Sequence, residues 1–241
     1  MHLQLNIDLS ILIIDIFLSI LEERLSEPEA YKKAALPTVR RLPSYLAILW
    51  ELHKQQVQTV SGTLIAEKMR CEPIQVRKDL AVTGVVGRPR IGFEVKAAIE
   101  AIENFLGWNN STDAFLIGAG SLGKALLGYG GFMKINLNII AAFDSDPRKV
   151  GTIIHGKKVF DIAKLENLTS RMHVHLAILT VPSGTAQKIT DTLVNFGIRG
   201  IWNFTSDKLI VPPEVVVQNE DLSSGLAVLC SRIKSNTGEP K

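Results

Sequence analysis

The fold of this chain is decided by the stretch Phe115-Leu-Ile-Gly-Ala-Gly-Ser-Leu-Gly-Lys124. Its apolar beginning predicts a buried parallel strand, and the run after the last glycine favours a helix. Between them, Gly118, Gly120 and Gly123 form the pattern G-x-G-x-x-G, which permits a tight turn, a close approach of pyrophosphate to the backbone, and close helix–strand packing. The free N–H groups at the start of the helix would bind a phosphate.

The residues that follow supply the context that this pattern needs. A second apolar run, Asn138-Ile-Ile-Ala-Ala-Phe143, ends in Asp144, 21 residues after Gly123. An acid at this place in a dinucleotide-binding domain accepts hydrogen bonds from ribose hydroxyl groups, and its charge repels a 2′-phosphate. We therefore predict binding of NAD(H) rather than NADP(H). The alternative is an ordinary strand–helix turn that binds no ligand.

The rest of the C-terminal half alternates predicted strands and helices from residue 114 to residue 217. This rhythm indicates an α/β fold with a Rossmann-like parallel sheet covered on both faces. Ligands bind at the carboxyl ends of such strands, although the X-Pro turn and the buried asparagine found there are also common in ordinary loops. The predicted cofactor contacts are Gly118, Ala119, Gly120, Ser121, Leu122, Gly123, Asp144, Thr180, Val181, Pro182, Asn203 and Phe204.

The N-terminal half predicts three short helices. From Thr38 onward, apolar side chains recur at three- and four-residue spacing and form one face, namely Leu42, Tyr45, Leu46, Leu49 and Leu52. Ser61 suits the cap of a second helix over residues 62–69, and Pro73 suits the first position of a third over residues 74–81. Three compact helices with a short turn before the last describe a helix-turn-helix.

The third helix and the segment after it carry the candidate DNA contacts. The exposed side of the helix would carry Gln75, Arg77 and Lys78, and its inner side would carry Ile74, Leu80 and Ala81. Residues 83–95 contain three glycines and a proline between two short apolar pieces, which predicts a β-hairpin wing with Arg88 and Arg90 near its tip. A winged helix places its third helix in the major groove, and arginines of the wing reach phosphates or a minor groove.

The charge distribution agrees with a polyanionic partner. Residues 36–96 hold ten Lys and Arg residues against five acids, whereas the whole chain of 241 residues has a net charge of +3. Double-stranded DNA fits such a basic segment, and a solvated basic surface without a ligand is the alternative.

Other features exclude several classes of protein. The two cysteines, Cys71 and Cys230, make neither a disulfide framework nor a metal site, so we expect a cytoplasmic protein without metal. The apolar run of residues 3–21 is interrupted by Asp8 and Asp15, which argues against a membrane span, and the run has no features of a signal peptide. We expect residues 1–36 to be an extension of unknown role.

The chain lacks a convincing catalytic base. His173 and His175 flank the start of a predicted strand, away from the expected ligand, and His155 lies beside Gly156 in a predicted turn. Hydride transfer usually needs a base aimed at the reacting carbon and a domain that holds the substrate. We therefore expect binding without turnover, so the protein would not be an enzyme.

Taken together, these motifs resemble the Rex family of redox-sensing transcriptional repressors. The likeness runs from about Pro37 to Ile233. It rests on Arg41-Leu-x-x-Tyr45, Gln75-Val-Arg-Lys-Asp-Leu80, the wing glycines Gly84, Gly87 and Gly92, Ile117-Gly-Ala-Gly-Ser-Leu-Gly123, Phe143-Asp-Ser-Asp-Pro147, Ile178-Leu-Thr-Val-Pro182 and Gly197-Ile-Arg-Gly-Ile-Trp-Asn-Phe204.

The resemblance implies a cytoplasmic bacterial homodimer that binds a palindromic operator and senses the NADH/NAD+ ratio, with NADH favouring release from DNA. It implies that a C-terminal helix, with an apolar face from Leu222 to Ile233, is swapped across the dimer. Tyr129 and Asp221 match a pair that takes part in the redox-linked rearrangement. We expect DNA contacts from Arg41, Ser61, Gln75, Arg77, Lys78, Arg88 and Arg90.

The expected domains are a winged helix over residues 37–110, a Rossmann domain over 111–220, a dimerisation helix over 221–235 and a disordered tail over 236–241.

Several positions depart from the family pattern. The wing has Pro89-Arg90 where Arg-Gly is usual, and the other departures are Ala47, Val82-Thr83, Phe93 and Leu222. The alternatives are an NAD-dependent oxidoreductase and a winged-helix regulator that senses another nucleotide, such as a coenzyme A-like ligand.

Overall fold

The computed structural model describes residues 34–237. The chain divides into two compact units between Asn109 and Asn110. Residues 1–33 of the expected extension and residues 238–241 of the expected tail lie outside the described part. Leu36, the last residue of that extension, already begins the first helix.

Within its described residues, 34–109, the N-terminal unit contains four helices and one small sheet. Its helices are α1 (Leu36–Lys54), α2 (Gly62–Met69), α3 (Pro73–Val82) and α4 (Val95–Leu106), and its strands are β1 (Thr59–Val60) and β2 (Phe93–Glu94). All five residues of the predicted apolar face of α1 are buried, as the periodicity indicated. The Ser61 hydroxyl oxygen accepts a hydrogen bond of 3.1 Å from the Leu64 amide and caps α2, as predicted.

The inner face of α3 differs from the sequence prediction. Ile74 is 54% exposed and Ala81 is also exposed, so the expectation that these two residues face inward was wrong. Val76, Asp79 and Leu80 are buried instead. Asp79 and Leu80 lie three and four residues after Val76 and share its face of the helix, whereas Ile74 and Ala81 lie on the other side.

The wing is also built differently from the expected hairpin. β2 pairs with β1 in antiparallel register, and residues 83–92 form a loop with a single bridge between Arg88 and Gly92. The Ile91 amide donates to the Arg88 carbonyl at 3.2 Å, and Arg90 has φ +63°. This is the geometry of a type II turn, which has proline at its second residue and a positive φ at its third residue. Arg88 and Arg90 therefore lie at the tip, as predicted.

The C-terminal unit contains one seven-stranded sheet in the order β5-β6-β4-β3-β7-β8-β9. The strands are β3 (Thr112–Ile117), β4 (Leu137–Asp144), β5 (Ile153–Ile154), β6 (Lys157–Asp161), β7 (Leu176–Leu179), β8 (Gly200–Asn203) and β9 (Val216–Asn219). All neighbours pair in parallel except β5, a short antiparallel edge strand. From β6 to β9 this is the strand order of a dinucleotide-binding fold, and it reverses between β3 and β7.

Helices cover the sheet, and the central strands are buried on both faces. These helices are α5 (Ser121–Leu127), α6 (Leu165–Met172) and α7 (Ala186–Asn195), with 3₁₀ segments at Gly130–Ile135 and Ile162–Lys164, and α8 (Leu222–Thr237) follows β9. Alternate residues of β3 enter two separate apolar clusters: Ala114 and Leu116 pack on one face, and Phe115 and Ile117 pack on the other. This double burial explains why the strand appears in the sequence as a continuous apolar run.

The last helix, α8, continues to Thr237, beyond the expected start of a disordered tail at residue 236. Its apolar side chains Leu226, Val228, Leu229 and Ile233 are between 52% and 60% exposed. Among the helices within residues 34–237, none combines the length and the hydropathy needed to span a membrane.

We expect Gly92→Ala to destabilise the N-terminal unit by more than Gly84→Ala does. Both glycines have positive φ, at +95° and +83°, which costs a side-chain-bearing residue roughly 1 kcal/mol. At Gly92 the added Cβ would also press against the Val60 carbonyl in β1, whereas at Gly84 it would meet nothing within 4 Å. Amide hydrogen exchange within residues 36–106 measures the difference, and equal protection in the two variants would contradict this account.

Candidate functional site

A cavity of about 960 Å³ lies at the carboxyl ends of β3, β4 and β7, where the strand order reverses. This is the position at which open α/β sheets bind their ligands. Of the twelve predicted cofactor contacts, six line this cavity: Gly118, Gly120, Asp144, Thr180, Val181 and Pro182. Half of the predicted contacts therefore lie at one cavity, and their contact with a cofactor stays a prediction.

The three glycines of the turn have three different surroundings. Gly118 has φ +99°, and a Cβ there would lie 2.7 Å from the Thr180 carbonyl oxygen. A Cβ on Gly123 would collide with the Gly118 carbonyl oxygen, so this glycine lets α5 pack closely on the turn. A Cβ on Gly120 would meet nothing within 4 Å, and Gly120 lines the cavity. The space beside Gly120 is the part of the turn that a phosphate group can enter.

Asp144 is the last residue of β4 and is only 8% exposed. Its Oδ2 accepts hydrogen bonds of 2.8 Å from the Ala119 amide and from Lys149 Nζ, and its Oδ1 accepts one of 2.8 Å from the Asp146 amide. Burial disfavours the charged carboxylate, but the bonds from Lys149, Asp146 and Ala119 outweigh it and hold the pKa of Asp144 below its usual value. Asp144 therefore fixes the glycine turn as an ionised acceptor.

Three of the roughly four lone-pair positions of this carboxylate are used by these donors. One position is left for a ribose hydroxyl group, so the ribose contact of Asp144 stays a prediction.

The sequence prediction missed the other lining residues. Lys149 and Lys188 contribute cationic groups, and Ile162, Ile189 and Phe196 contribute an apolar wall. The two lysine side chains suit phosphate groups, and the apolar wall suits a flat heterocyclic ring. The sequence held a signal for Lys149, which lies five residues after Asp144, the acid that ends β4. It held no signal for the lining residues of α7, because only the packing of that helix brings them to the cavity.

The remaining predicted contacts lie elsewhere. The lining of this cavity, among the described residues, does not include Ala119, Ser121, Leu122, Gly123, Asn203 or Phe204. The Asn203 amide is fully buried, and its Nδ2 donates to Asn219 Oδ1 at 2.8 Å and to the Asp207 carbonyl at 3.0 Å. The rings of Phe204 and Trp202 lie 4.9 Å apart. Asn203 and Phe204 thus stabilise the loop after β8.

The two predicted switch residues have separate surroundings in the structure. Tyr129 is 59% exposed and lies edge-on to Phe132, with the ring centroids 4.9 Å apart. Asp221 precedes α8, and its Oδ1 accepts hydrogen bonds from the Ser223 amide and hydroxyl group, which lower the pKa of this carboxyl. Their joint role stays a prediction.

Four of the seven predicted DNA contacts, namely Ser61, Arg77, Arg88 and Arg90, line one cleft in the N-terminal unit. This cleft of about 680 Å³ is lined by the start of α2, by Arg77 of α3 and by the wing with Arg88 and Arg90. The Arg77 stem packs against Gly62, where an added Cβ would lie 3.3 Å from Arg77 Cγ. Gln75 and Lys78 are exposed on the same helix. Three guanidinium groups around one cleft make it suited to a phosphate backbone.

Arg41, another predicted DNA contact, has an acidic partner inside the protein. Its Nε lies 2.6 Å from Asp79 Oδ2, and its Nη2 lies 2.9 Å from Asp79 Oδ1. Asp79 is 1% exposed. The structure therefore shows Arg41 in a two-point ion pair inside the N-terminal unit.

Within residues 34–237, no group of three or more His, Cys, Asp or Glu side chains could hold a metal ion. His175 Nδ1 lies 3.2 Å from the Gly197 carbonyl oxygen, and His155 lies against Gly128. These surroundings agree with structural roles for both histidines.

Two family models match the chain, one for each unit. Residues 33–81 match "Putative DNA-binding protein N-terminus" and residues 109–207 match "CoA binding domain". Together with the winged helix-turn-helix and the dinucleotide-type cavity, these matches define the class: a DNA-binding regulator with a nucleotide-binding domain.

Similar proteins narrow this class to one family. The chain is 54% identical to the redox-sensing transcriptional repressor Rex of Treponema denticola, over 82% of this chain and 94% of that protein, and 42% identical to that of Bacteroides fragilis, over 85% and 93%. The chain belongs to the Rex family of redox-sensing transcriptional repressors. This confirms the predicted fold class and the prediction of a regulator rather than an enzyme.

Solved structures agree with this assignment. The structure of RSP, a Rex-family repressor, in complex with β-NAD+ and operator DNA is similar to that of this chain. The TM-score is 0.79, and the identity is 33% over 85% of this chain and 94% of that one. Its complex with β-NADH has a TM-score of 0.78 and 32% identity, over 85% and 96%.

We expect Gly120→Val to abolish NADH binding and leave the fold intact, because the added side chain enters the open space beside the turn. Isothermal titration with NADH should show at least a tenfold loss of affinity, about 1.4 kcal/mol. Met133→Val, at an 82% exposed position outside this cavity, is the control. Unchanged NADH affinity in Gly120→Val would exclude this turn as the pyrophosphate site.

We expect Arg77→Ala combined with Lys78→Ala to abolish specific DNA binding, because both cations lie on the exposed side of α3. In a gel-shift assay on random-sequence duplex, the slope of log affinity against log salt should fall by about two, one for each lost phosphate contact. Lys164→Ala with Arg171→Ala removes the same charge from exposed positions near and on α6 and should change neither quantity. An unaltered gel shift in the first variant would refute the assignment.

Proposed function

We propose that this chain is a homodimeric repressor that binds a palindromic operator and is released from it by NADH. The observation that carries this proposal is the similarity of 85% of this chain to a repressor solved with both a nicotinamide nucleotide and operator DNA. The geometry of both sites supports it.

The nucleotide site fits NAD(H) at three points. The open space beside Gly120 accepts a pyrophosphate, the apolar wall near Ile162 and Phe196 accepts an adenine ring, and Asp144 has one acceptor position left for a ribose hydroxyl group. Lys149 neutralises part of the charge of Asp144 at 2.8 Å. When bound, the nicotinamide supplies the redox state that is sensed, and the residues of this chain bind it without transferring hydride.

The DNA site fits a duplex through α3 and the wing. Gln75, Arg77 and Lys78 lie on the exposed side of α3, which would enter the major groove and contact base edges and phosphates. At the wing tip, Arg90 occupies the third position of the turn with φ +63°, so its side chain projects from the end of the loop. Arg88 and Arg90 would then reach a phosphate or the adjacent minor groove.

A second copy of the chain would complete the assembly. The exposed apolar side chains of α8 need a partner surface, and a swapped helix would cover them. Tyr129 and Asp221 would take part in the rearrangement linked to the redox state. A repressor of this kind acts in the bacterial cytoplasm.

Release from DNA follows from a shift of populations. NADH must bind the DNA-incompetent state more tightly than the competent one, because equal affinity for both states would shift nothing. A tenfold loss of operator affinity requires about 1.4 kcal/mol of coupling. NAD+ would have a smaller difference in affinity between the two states.

A second candidate ligand is a coenzyme A-like nucleotide, because residues 109–207 match the "CoA binding domain" model. Such a ligand shares the adenosine and the pyrophosphate with NADH, so it would use the same turn and apolar wall. It differs in lacking the nicotinamide. A competition titration, in which one ligand displaces the other, distinguishes which of the two binds more tightly.

The deciding experiment selects an operator from a library of palindromic duplexes with randomised half-sites and then titrates it with protein at fixed salt. We expect NADH to weaken binding at least tenfold and equal concentrations of NAD+ or coenzyme A to have little effect. Release by coenzyme A alone would favour the second candidate. Steady consumption of NADH with a carbonyl substrate, without any duplex being selected, would favour an oxidoreductase.

A further inference from the structure

The carboxylate of Asp79 in α3 is buried in the N-terminal unit. It accepts hydrogen bonds from Thr38 Oγ1 at 2.9 Å and from the Tyr45 hydroxyl group at 2.8 Å, in addition to the two from Arg41. All three donor residues belong to α1. The network therefore joins α3 to α1 at one point of the recognition helix.

The electrostatics show that this is an ionised pair at neutral pH. Burial disfavours the charged form of Asp79, but the bonds from Arg41, Tyr45 and Thr38 outweigh it and lower the pKa of the carboxyl. The bond to Asp79 raises the pKa of Arg41, whose side chain is 28% exposed. A guanidinium group that donates two hydrogen bonds to one buried carboxylate has a fixed orientation, because turning it would break at least one of the bonds.

This geometry bears on how Arg41 affects DNA binding. Both Nε and Nη2 bind Asp79, so this edge of the guanidinium group cannot also bind a phosphate at two points. Asp79 directly follows Lys78 and lies two residues after Arg77. Successive residues of a helix are about 100° apart, so fixing the direction of Asp79 fixes the directions of both cations.

We propose that Arg41 and Asp79 are a positioning pair that sets the rotation of the recognition helix and thereby the specificity for the operator, without contact between Arg41 and a phosphate. This inference rests on the proposed operator binding. The pair governs the ratio of specific to non-specific affinity, because non-specific binding needs only the charges and specific binding needs base edges in register.

The test compares operator and random-sequence duplexes over a range of salt concentrations. We expect Arg41→Gln and Asp79→Asn each to lower operator affinity at least tenfold and to change random-duplex affinity less than about threefold. The slope with salt on random duplex should stay at the wild-type value in Arg41→Gln. The double variant should lose no more than either single variant, because the two residues act as one unit.

Arg40→Gln is the matched control, since it removes one charge from the exposed side chain next to Arg41 on the same helix. We expect it to change both affinities by the same factor. Arg41→Lys keeps the charge but loses the fork, so it should lose operator affinity as Arg41→Gln does. Tyr45→Phe removes a single donor from Asp79 and should lower specificity in the same direction, and it serves together with Arg41→Lys if the stronger variants fail to fold.

The opposite results would overturn the proposal. A direct phosphate contact predicts that Arg41→Gln lowers both affinities equally and reduces the salt slope by about one, while Asp79→Asn leaves operator affinity unchanged or higher. Additive losses in the double variant would also exclude a positioning pair. Failure of the wild-type chain to select any duplex would end the proposed function itself, whereas wild-type selection with an insensitive Asp79→Asn would end only this inference.

Discussion

The turn between β3 and α5 is held by contacts on three sides, and the nucleotide site depends on all of them. Thr180 Oγ1 donates to the Gly118 carbonyl at 2.7 Å, which ties the turn to the end of β7. The Ala119 amide donates to Asp144, which ties it to the end of β4. Gly123 lets α5 approach the same carbonyl more closely than any side chain would permit. The backbone is thus fixed before a ligand arrives, and Gly120 faces the remaining space.

The N-terminal unit depends on a comparable point of fixation, built from charge instead of backbone. Asp79 is buried with four hydrogen bonds from α1, and removing one partner would leave an uncompensated charge in an apolar core. Around it pack the apolar face of α1 and the buried residues Val76 and Leu80 of α3. With the inner face of α3 held in this way, its outer face carries the exposed side chains of Gln75, Arg77 and Lys78.

Much of the fold could be predicted because its signals are local. The glycine pattern, the apolar run ending in Asp144 and the spacing of the α1 leucines each specify one element and one face. Half of the predicted cofactor contacts line the cavity for the same reason, since they directly follow strands whose ends meet. The rest depends on distant partners. Asn203 bonds to Asn219 and to the loop after β8, so its cofactor contact stays a prediction. The inward direction expected of Ile74 was wrong, because Val76 and Asp79 occupy the inner side.

The sequence by itself determined the two folds, their order along the chain, the family and the end of the sheet at which the nucleotide site lies. The tertiary structure alone decided that β2 pairs with β1 instead of within the wing, that Lys149 neutralises Asp144, and that Arg41 binds Asp79 across 38 residues of chain. Periodicity and turn chemistry record which way a residue faces within its own element. Which partner the residue contacts is decided by how the elements pack against one another, and no single stretch of the sequence contains that information.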